Sequence, residues 1–218
     1  LLFFLMVFVA KSQETSKFSL KPMLGITACQ VHGDNYSGYN KLGFTGGLYV
    51  NAAIKKQTSL ELGIIFIQKG AQRNPNPTKF DYTAYYLNLN YVEVPLLIRW
   101  QPKKFFFTAG VSFAYLINYY EATEIGNITG MFPFKSTEYS FNLGLGMMIT
   151  PKLAVVVRTN NSFLTIRPWP SSFRPYYNNV IARQFNNGSY NNILQMIFTY
   201  KLGGKKNTEP KNEPKEEI

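Results

Sequence analysis

Long segments in which apolar side chains alternate with small or polar ones dominate this sequence of 218 residues. In one of them, Phe105, Phe107 and Phe113 share one parity, whereas Thr108 and Ser112 share the other. A period of two indicates a β-strand with one apolar face. Eight such segments occur, at 18–31, 40–53, 58–70, 84–100, 104–120, 137–150, 152–165 and 191–202. Each has the length of a tilted membrane-spanning strand, about ten residues, whereas soluble strands usually have about five or six.

The connections between these segments alternate in length. IKKQ, QPK and a turn at Pro151 are short, whereas HGDNYSGY, AQRNPNPTKFDYT, EATEIGNITGMFPFKS and the stretch from Arg167 to Tyr190 are long. Short turns at one end and long loops at the other are typical of outer-membrane barrels. The sequence therefore predicts an all-β fold, an eight-stranded antiparallel up-and-down transmembrane β-barrel over residues 13–202. An even strand number puts both termini at the short-turn end, which we expect to face the periplasm.

The composition narrows the function classes. Aromatic residues make up 16% of the chain and charged residues only 16%, against about a quarter charged in soluble domains. A single cysteine, Cys29, and a single histidine, His32, exclude an internal disulfide and a cysteine-based zinc site, and we expect no metal and no cofactor. The net charge of +11 forms no basic stripe, so we expect no nucleic-acid partner.

The two ends of the chain differ from the barrel region. The first ten residues, LLFFLMVFVA, have the length of a signal-peptide apolar core, and Ala10 and Ser12 fit cleavage after Ser12. We therefore interpret residues 1–12 as a cleaved signal peptide whose start is missing; a buried first strand is the alternative. Residues 203–218, GGKKNTEPKNEPKEEI, have no apolar period and predict a disordered periplasmic tail. No later segment offers 18 uninterrupted apolar residues, so we expect no transmembrane helix.

The stretch YVEVPLLIRW, residues 91–100, combines apolar side chains with a glutamate, a proline and an arginine. Its even-numbered residues are apolar and predict a lipid face, whereas Glu93 and Arg99 point to the lumen. Just upstream the opposite parity is apolar, which predicts Leu87, Leu89 and Tyr91 toward lipid with Asn88 and Asn90 inside. A switch of parity near Tyr91–Val92 predicts a β-bulge there.

Other predicted strands carry inward charges as well. Glu61 and Lys69 share one inward parity, Arg158 faces inward on the seventh segment, and Lys21 and Lys41 are further candidates. An eight-stranded barrel is just wide enough for side chains to fill it, and buried charges must be paired. The sequence therefore predicts a lumen charge network that rigidifies the barrel, made of Glu61, Glu93, Arg99 and Arg158. Two carboxylates could instead serve as general acid and base, but no substrate pocket is indicated.

Three motifs resemble those of a known family. They are a glycine-rich second strand with Gly43, Gly46 and Gly47, a third strand ending in Gln68-Lys69-Gly70, and a fourth strand with Tyr91, Glu93, Pro95, Leu96 and Leu97. Together they resemble the PorT-like outer-membrane β-barrel family of the Bacteroidetes envelope, a porin-family type of outer membrane protein β-barrel domain. The resemblance implies an outer-membrane location in a Gram-negative cell. It also implies a link to type IX protein secretion, through the founding member, and supplies no catalytic residues.

Three functions remain open at this point. The first is a structural or protein-interaction role, with lipid, lipopolysaccharide and envelope or secretion-system proteins as partners. Arginines and aromatics are favoured at interfaces, and the last long loop offers Arg167, Trp169, Phe173, Arg174, Tyr176, Tyr177 and Arg183. The second is a small porin-like channel for small solutes. The third is an enzyme such as a lipid A deacylase, which needs a Ser–His pair; only His32 and Ser37 are near each other in sequence, so we expect no enzyme.

Overall fold

The computed structural model describes residues 18–33, 38–168 and 188–202. Ten strands occur in these ranges, of which β6 and β9 are two-residue strands in long connections. The strands are β1 (Phe18–His32), β2 (Lys41–Lys55), β3 (Thr58–Arg73), β4 (Tyr85–Trp100), β5 (Phe105–Thr123), β6 (Gly126–Asn127), β7 (Thr137–Met148), β8 (Leu153–Ser162), β9 (Arg167–Pro168) and β10 (Gly188–Tyr200). A 3-10 turn covers Pro77–Lys79. Within these ranges no helix has the length and apolar character to cross a bilayer.

The eight long strands close into an antiparallel barrel. Each pairs with the next long strand in the chain, and β1 pairs with β10 from Met23 opposite Thr199 to His32 opposite Tyr190. All eight predicted segments are strands, with ends that differ from the predicted ones by at most a few residues. The predicted fold and the alternation of short turns and long connections are therefore confirmed. Closure also removes exposed sheet edges.

The two faces of the barrel wall follow the predicted alternation over most of its height. On β5, Phe105, Phe107 and Phe113 are exposed on the outside, whereas Thr108 and Ser112 are buried in the lumen. The outward row of β4 runs from Val92 to Trp100 and is apolar throughout. At ~3.3 Å per residue this row covers about 26 Å along the strand, which a tilt of ~40° reduces to roughly 20 Å of barrel height, most of the ~25 Å apolar band of an outer-membrane barrel.

The predicted parity switch in β4 is wrong. Buried and exposed residues alternate without interruption along the strand, so Leu87, Leu89 and Tyr91 lie inside with no exposed surface, and Asn88 and Asn90 lie on the outer face. The three apolar residues belong to a core that fills the barrel at its long-loop end, together with Ile67 and other side chains of neighbouring elements. Sidedness therefore inverts here: apolar side chains face the lumen and amides face outward.

The irregularity lies on the partner strand instead. Asn90 pairs with Asn118, but the next residue, Tyr91, pairs with Leu116. Ile117 is the extra residue, so β5 carries the bulge opposite the position predicted for β4. Before the bulge the inward residues of β5 have even numbers, as Ala114 does, and after it they have odd numbers, as Glu121 does. The change follows because an extra residue re-aims the side chains that come after it.

Outward amides mark the upper edge of the apolar band. Gln30, Asn192 and Asn161 are cross-strand neighbours, and so are Gln68, Asn90 and Asn118. The Asn90 side chain donates to Asn118 Oδ1 at 2.7 Å, and the Tyr39 hydroxyl donates to Asn192 Oδ1 at 2.7 Å. Aromatic pairs flank the band at both ends, Phe113 with Tyr139 near the long loops and Trp100 with Phe107 near the short turns. Such girdles are typical of membrane–water boundaries.

Candidate functional site in the barrel lumen

The centre of the lumen is organised around Lys69. Its ammonium donates to Glu138 Oε1 at 2.8 Å and to Asn160 Oδ1 at 2.8 Å, and it pairs with Glu93 Oε2 at 2.9 Å. The side chain has no exposed surface, and both carboxylates are at most 1% exposed. The ammonium therefore makes two hydrogen bonds and a further ion pair with Glu93, so that its buried charge is compensated.

The two carboxylates that share Lys69 have further donors. Asn160 Nδ2 donates to Glu93 Oε1 at 3.0 Å, Asn191 Nδ2 donates to Glu138 Oε2 at 2.7 Å, and the Ser140 hydroxyl donates to Glu138 Oε1 at 3.1 Å. These bonds spread the charge of two carboxylates over amides and a hydroxyl, since one ammonium neutralises only one of them. Side chains from β3, β4, β7, β8 and β10 thus meet across the lumen.

The strand register explains why two of the sequence motifs meet here. Ile67 on β3 is opposite Tyr91 on β4, and Ile65 is opposite Glu93. The Lys69 side chain therefore passes the Tyr91 ring, 5.3 Å from its centroid, to reach Glu93. The Gln-Lys-Gly end of β3 and the Tyr-x-Glu start of the β4 motif form one local structure.

A second charge cluster lies nearer the short turns. Glu61 Oε1 accepts from Lys21 at 2.7 Å and from Arg99 Nη1 at 3.3 Å. The Arg99 guanidinium lies 3.3 Å from the centroid of the Phe106 ring, a stacking that fixes the plane of a buried arginine. Glu61 and Arg99, two of the residues of the sequence-derived network, are brought together here.

The other two residues of that network lie apart from these two. Glu61 is opposite Leu97, whereas Glu93 is opposite Ile65, so the two glutamates are separated by four residues, about 13 Å, along the strands. Arg158 donates to the Tyr49 hydroxyl at 2.7 Å and makes no ion pair within the described part of the chain. The lumen thus holds two charge clusters at different depths along the strands.

Sequence reasoning missed Glu138 and the central role of Lys69. Both had an inward parity in the sequence, and that parity was the available signal. Glu138 is the second residue of β7 and lies beside a long connection, where depth in the barrel is hard to assign. Asn160 shares the inward parity of Arg158, but an asparagine is also common in turns and on polar surfaces, so its residue type does not indicate a bond to a lumen charge.

A third buried pair closes the long-loop end. Arg167 on β9 donates to Glu121 through Nη1 at 2.8 Å and Nη2 at 2.9 Å, and the Tyr85 hydroxyl donates to Glu121 Oε1 at 2.7 Å. The guanidinium lies 4.0 Å from the centroid of the Phe134 ring. Burial works against the charge of Arg167, but hydrogen bonds and the charge of Glu121 outweigh it and raise the pKa of Arg167. This arginine, a sequence-derived candidate for partner contact, is therefore engaged inside the barrel end.

Replacing Arg167 with methionine should lower the free energy of unfolding by roughly 2 kcal/mol, because it leaves the Glu121 carboxylate buried without its bidentate partner. We also expect faster proteolysis in the connection 124–136, since Phe134 loses its contact. Urea unfolding in lipid vesicles and limited proteolysis measure both effects. The matched control is Arg73→Met, whose pair with Asp81 is about one-third exposed and should contribute little to stability, because solvent screens it. Equal effects of the two variants would contradict a stabilising role of the Arg167–Glu121 pair.

Several sequence-derived sites lie outside the described residues. These are the signal segment 1–12, the tail 203–218, Ser37, and the loop candidates Trp169, Phe173, Arg174, Tyr176, Tyr177 and Arg183. His32 is described and is exposed at the end of β1. In the described ranges no group of three or more His, Cys, Asp and Glu is arranged to hold a metal ion.

A closed eight-stranded barrel with an apolar outer band and a lumen filled by paired charges is the architecture of an outer-membrane β-barrel protein. Residues 11–166 match the profile of the family described as outer membrane protein beta-barrel domain. This match covers well over half of the chain, and the protein belongs to that family. The coarse prediction of an outer-membrane barrel is therefore confirmed. No curated protein has a sequence that matches this chain significantly.

Three solved structures show a partial likeness to this chain. The attachment invasion locus protein Ail of Yersinia pestis is 9% identical, with 84% of this chain and 99% of that chain covered and a TM-score of 0.45. Neisserial surface protein A is 10% identical, with 86% and 98% covered and a TM-score of 0.45. OprG from Pseudomonas aeruginosa is 10% identical, with 87% and 98% covered and a TM-score of 0.43.

Proposed function

We propose that this outer-membrane barrel has a structural or protein-interaction role in the envelope, as an accessory of a protein-secretion assembly, and does not conduct solutes. The observation that carries the proposal is the central cluster of Lys69, Glu93, Glu138 and Asn160. These side chains come from four different strands and are joined by bonds of 2.8 to 3.0 Å. A solute crossing the lumen would have to separate buried charges, which costs several kcal/mol per ion.

Conductance measurements test the closed lumen. In planar bilayers we expect no stepwise current from the wild-type barrel, because the lumen centre is occupied by paired side chains. The variant Lys69→Ala/Glu93→Ala/Glu138→Ala removes the cluster and should give small current steps if it folds, which heat-modifiable mobility on gels establishes. Discrete steps from the wild-type protein would refute the closed-lumen proposal and favour the small-porin alternative.

The secretion role is supported by the resemblance of the Gln-Lys-Gly and Tyr-x-Glu-x-Pro-Leu-Leu motifs to PorT-like proteins. In the structure Lys69, Tyr91 and Glu93 of those motifs pack together inside the barrel. They therefore stabilise the barrel, and any contact with a partner protein is made elsewhere on it. With a lumen that transmits nothing, the loops, the turns and the outer surface are the parts available for interaction. Binding residues are disproportionately found on loops that a rigid scaffold positions.

Site-specific photocrosslinking in intact cells tests this role. A photoreactive residue replaces Lys103 at the short-turn end or Phe80 in the exposed β3–β4 connection, and a matched one replaces Leu143, which faces outward in the apolar band. We expect a fixed set of envelope proteins to be captured from one or both ends and lipid to dominate at Leu143. If both end positions yield only lipid or lipopolysaccharide, the protein acts alone and the interaction role is wrong.

A further inference from the structure

A polar cavity of about 180 Å³ opens at the short-turn end of the barrel. Four cationic side chains line it, Lys21, Arg99, Lys152 and Lys201. Within the described residues the carboxylate next to them is Glu61, which pairs with Lys21 and Arg99. Positive charge therefore exceeds negative charge at this mouth of the barrel, and the cationic side chains line a concave site.

The Lys21 ammonium retains a donor that no described residue uses. It donates to Glu61 Oε1 at 2.7 Å and to Asn51 Oδ1 at 3.0 Å. An ammonium has three N–H groups, so one remains for an acceptor in the cavity. The side chain is only 10% exposed, which means that the donor is fixed in place and partly shielded from solvent.

The Arg99 guanidinium also has a weakly satisfied donor. Nη2 donates to Gln101 Oε1 at 2.8 Å and points at Met148 Sδ at 3.4 Å. A thioether sulfur is a poor acceptor, and an anionic oxygen would form a shorter and stronger charge-assisted bond. Because the guanidinium is stacked on Phe106, this donor is held in a defined direction.

Lys152 and Lys201 supply the outer wall. The backbone N–H of Lys201 donates to the Lys152 carbonyl at 2.8 Å, and the Thr150 hydroxyl accepts from Leu153 N at 2.9 Å. The backbones of the two lysines therefore lie beside each other, and both residues line the cavity. Neither ammonium forms a hydrogen bond or ion pair within the described part of the chain. Like charges that line one cavity repel each other, and an anion bound there would offset this repulsion.

We propose that this mouth is a binding site for a phosphate- or carboxylate-bearing anion, held by the Lys21 and Arg99 donors at its base and by Lys152 and Lys201 at its rim. One water occupies about 30 Å³ in the liquid, so the cavity has room for a small polyatomic anion with some hydration. The anion comes from one of two sources. It is a free anion on the short-turn side, or a glutamate of the segment that follows Leu202, which carries Glu209, Glu213, Glu216 and Glu217.

Calorimetric titration of the full-length barrel in non-ionic detergent with inorganic pyrophosphate tests the site. We expect saturable binding of one pyrophosphate per barrel. In Lys152→Gln/Lys201→Gln the dissociation constant should rise roughly tenfold or more, because two charge-assisted contacts are lost. The matched control is Lys55→Gln/Lys56→Gln, which removes two exposed lysines from a turn at the same end but outside the cavity, and should leave binding unchanged.

If the two double variants bind pyrophosphate equally more weakly than the wild type, the binding reflects general attraction to a basic barrel end and the proposed site is wrong. The absence of saturable binding would also overturn the proposal. A full-length variant with Glu209, Glu213, Glu216 and Glu217 changed to glutamine separates the two sources. If pyrophosphate then binds more tightly, the glutamates of this chain compete for the same site and are its resident ligand. If its affinity is unchanged, the site takes a free anion.

Discussion

Replacing Lys69 with methionine should destabilise the folded barrel by about 3–5 kcal/mol, because a buried ion pair is broken by removal of one partner. The change leaves Glu93 and Glu138 in the lumen with at most 1% exposure and without their shared cation. It also removes the donor to Asn160 Oδ1. Urea unfolding in lipid vesicles, followed by tryptophan fluorescence and by heat-modifiable gel mobility, measures the loss.

Two further variants test whether the loss of stability comes from the buried carboxylates that are left without a cation. Lys103→Met removes a turn lysine that is exposed and should change the unfolding free energy by less than about 0.5 kcal/mol. The triple variant Lys69→Met/Glu93→Gln/Glu138→Gln removes both stranded carboxylates and should recover part of the stability, since neutral amides are far less costly to bury than charges. A triple variant less stable than Lys69→Met would contradict this explanation.

The barrel could be predicted from sequence because period-two alternation and connection length both depend on local sequence. The pairing of lumen charges could not. Parity assigns Glu61, Glu93 and Arg99 to the inner face, but their depth depends on the register between neighbouring strands. Glu93 lies about 13 Å from Glu61 along the strands and pairs with a lysine on β3. An inward parity therefore identifies candidate members of a network without identifying their partners.

The error at the start of β4 has a different physical origin. The parity of Leu87, Leu89 and Tyr91 predicts a lipid face because an apolar row on a membrane strand normally faces outward. Above the apolar band the barrel wall is surrounded by water, and the hydrophobic effect then favours the opposite arrangement, with apolar residues inside. Asn88 and Asn90 do not reveal this change in the sequence, because an amide avoids hydrocarbon equally well in the lumen and on an outer face that water surrounds.

Replacing Gly70 with alanine should destabilise the barrel by roughly 2–4 kcal/mol, or prevent folding, since it combines backbone strain with a steric clash. Gly70 has φ of +134°, a conformation that favours glycine. A Cβ atom there would collide with the carbonyl oxygen of Leu87 and lie 2.8 Å from its carbonyl carbon and 3.0 Å from Lys41 Cδ. Relief would require β3 to move away from β4 next to Lys69. Unfolding in lipid vesicles and the folded fraction after refolding measure the effect.

Gly126→Ala separates the two contributions. Gly126 has φ of +114°, and a Cβ atom there would have no neighbour within 4 Å. This variant should therefore show backbone strain alone, about 1 kcal/mol. A much larger effect at Gly70 would mean that the glycine of the Gln-Lys-Gly motif is required for close approach of β3 and β4, which keeps Lys69 within 2.9 Å of Glu93. Equal effects at both glycines would mean that dihedral strain explains everything and that the motif does not depend on the contact with Leu87.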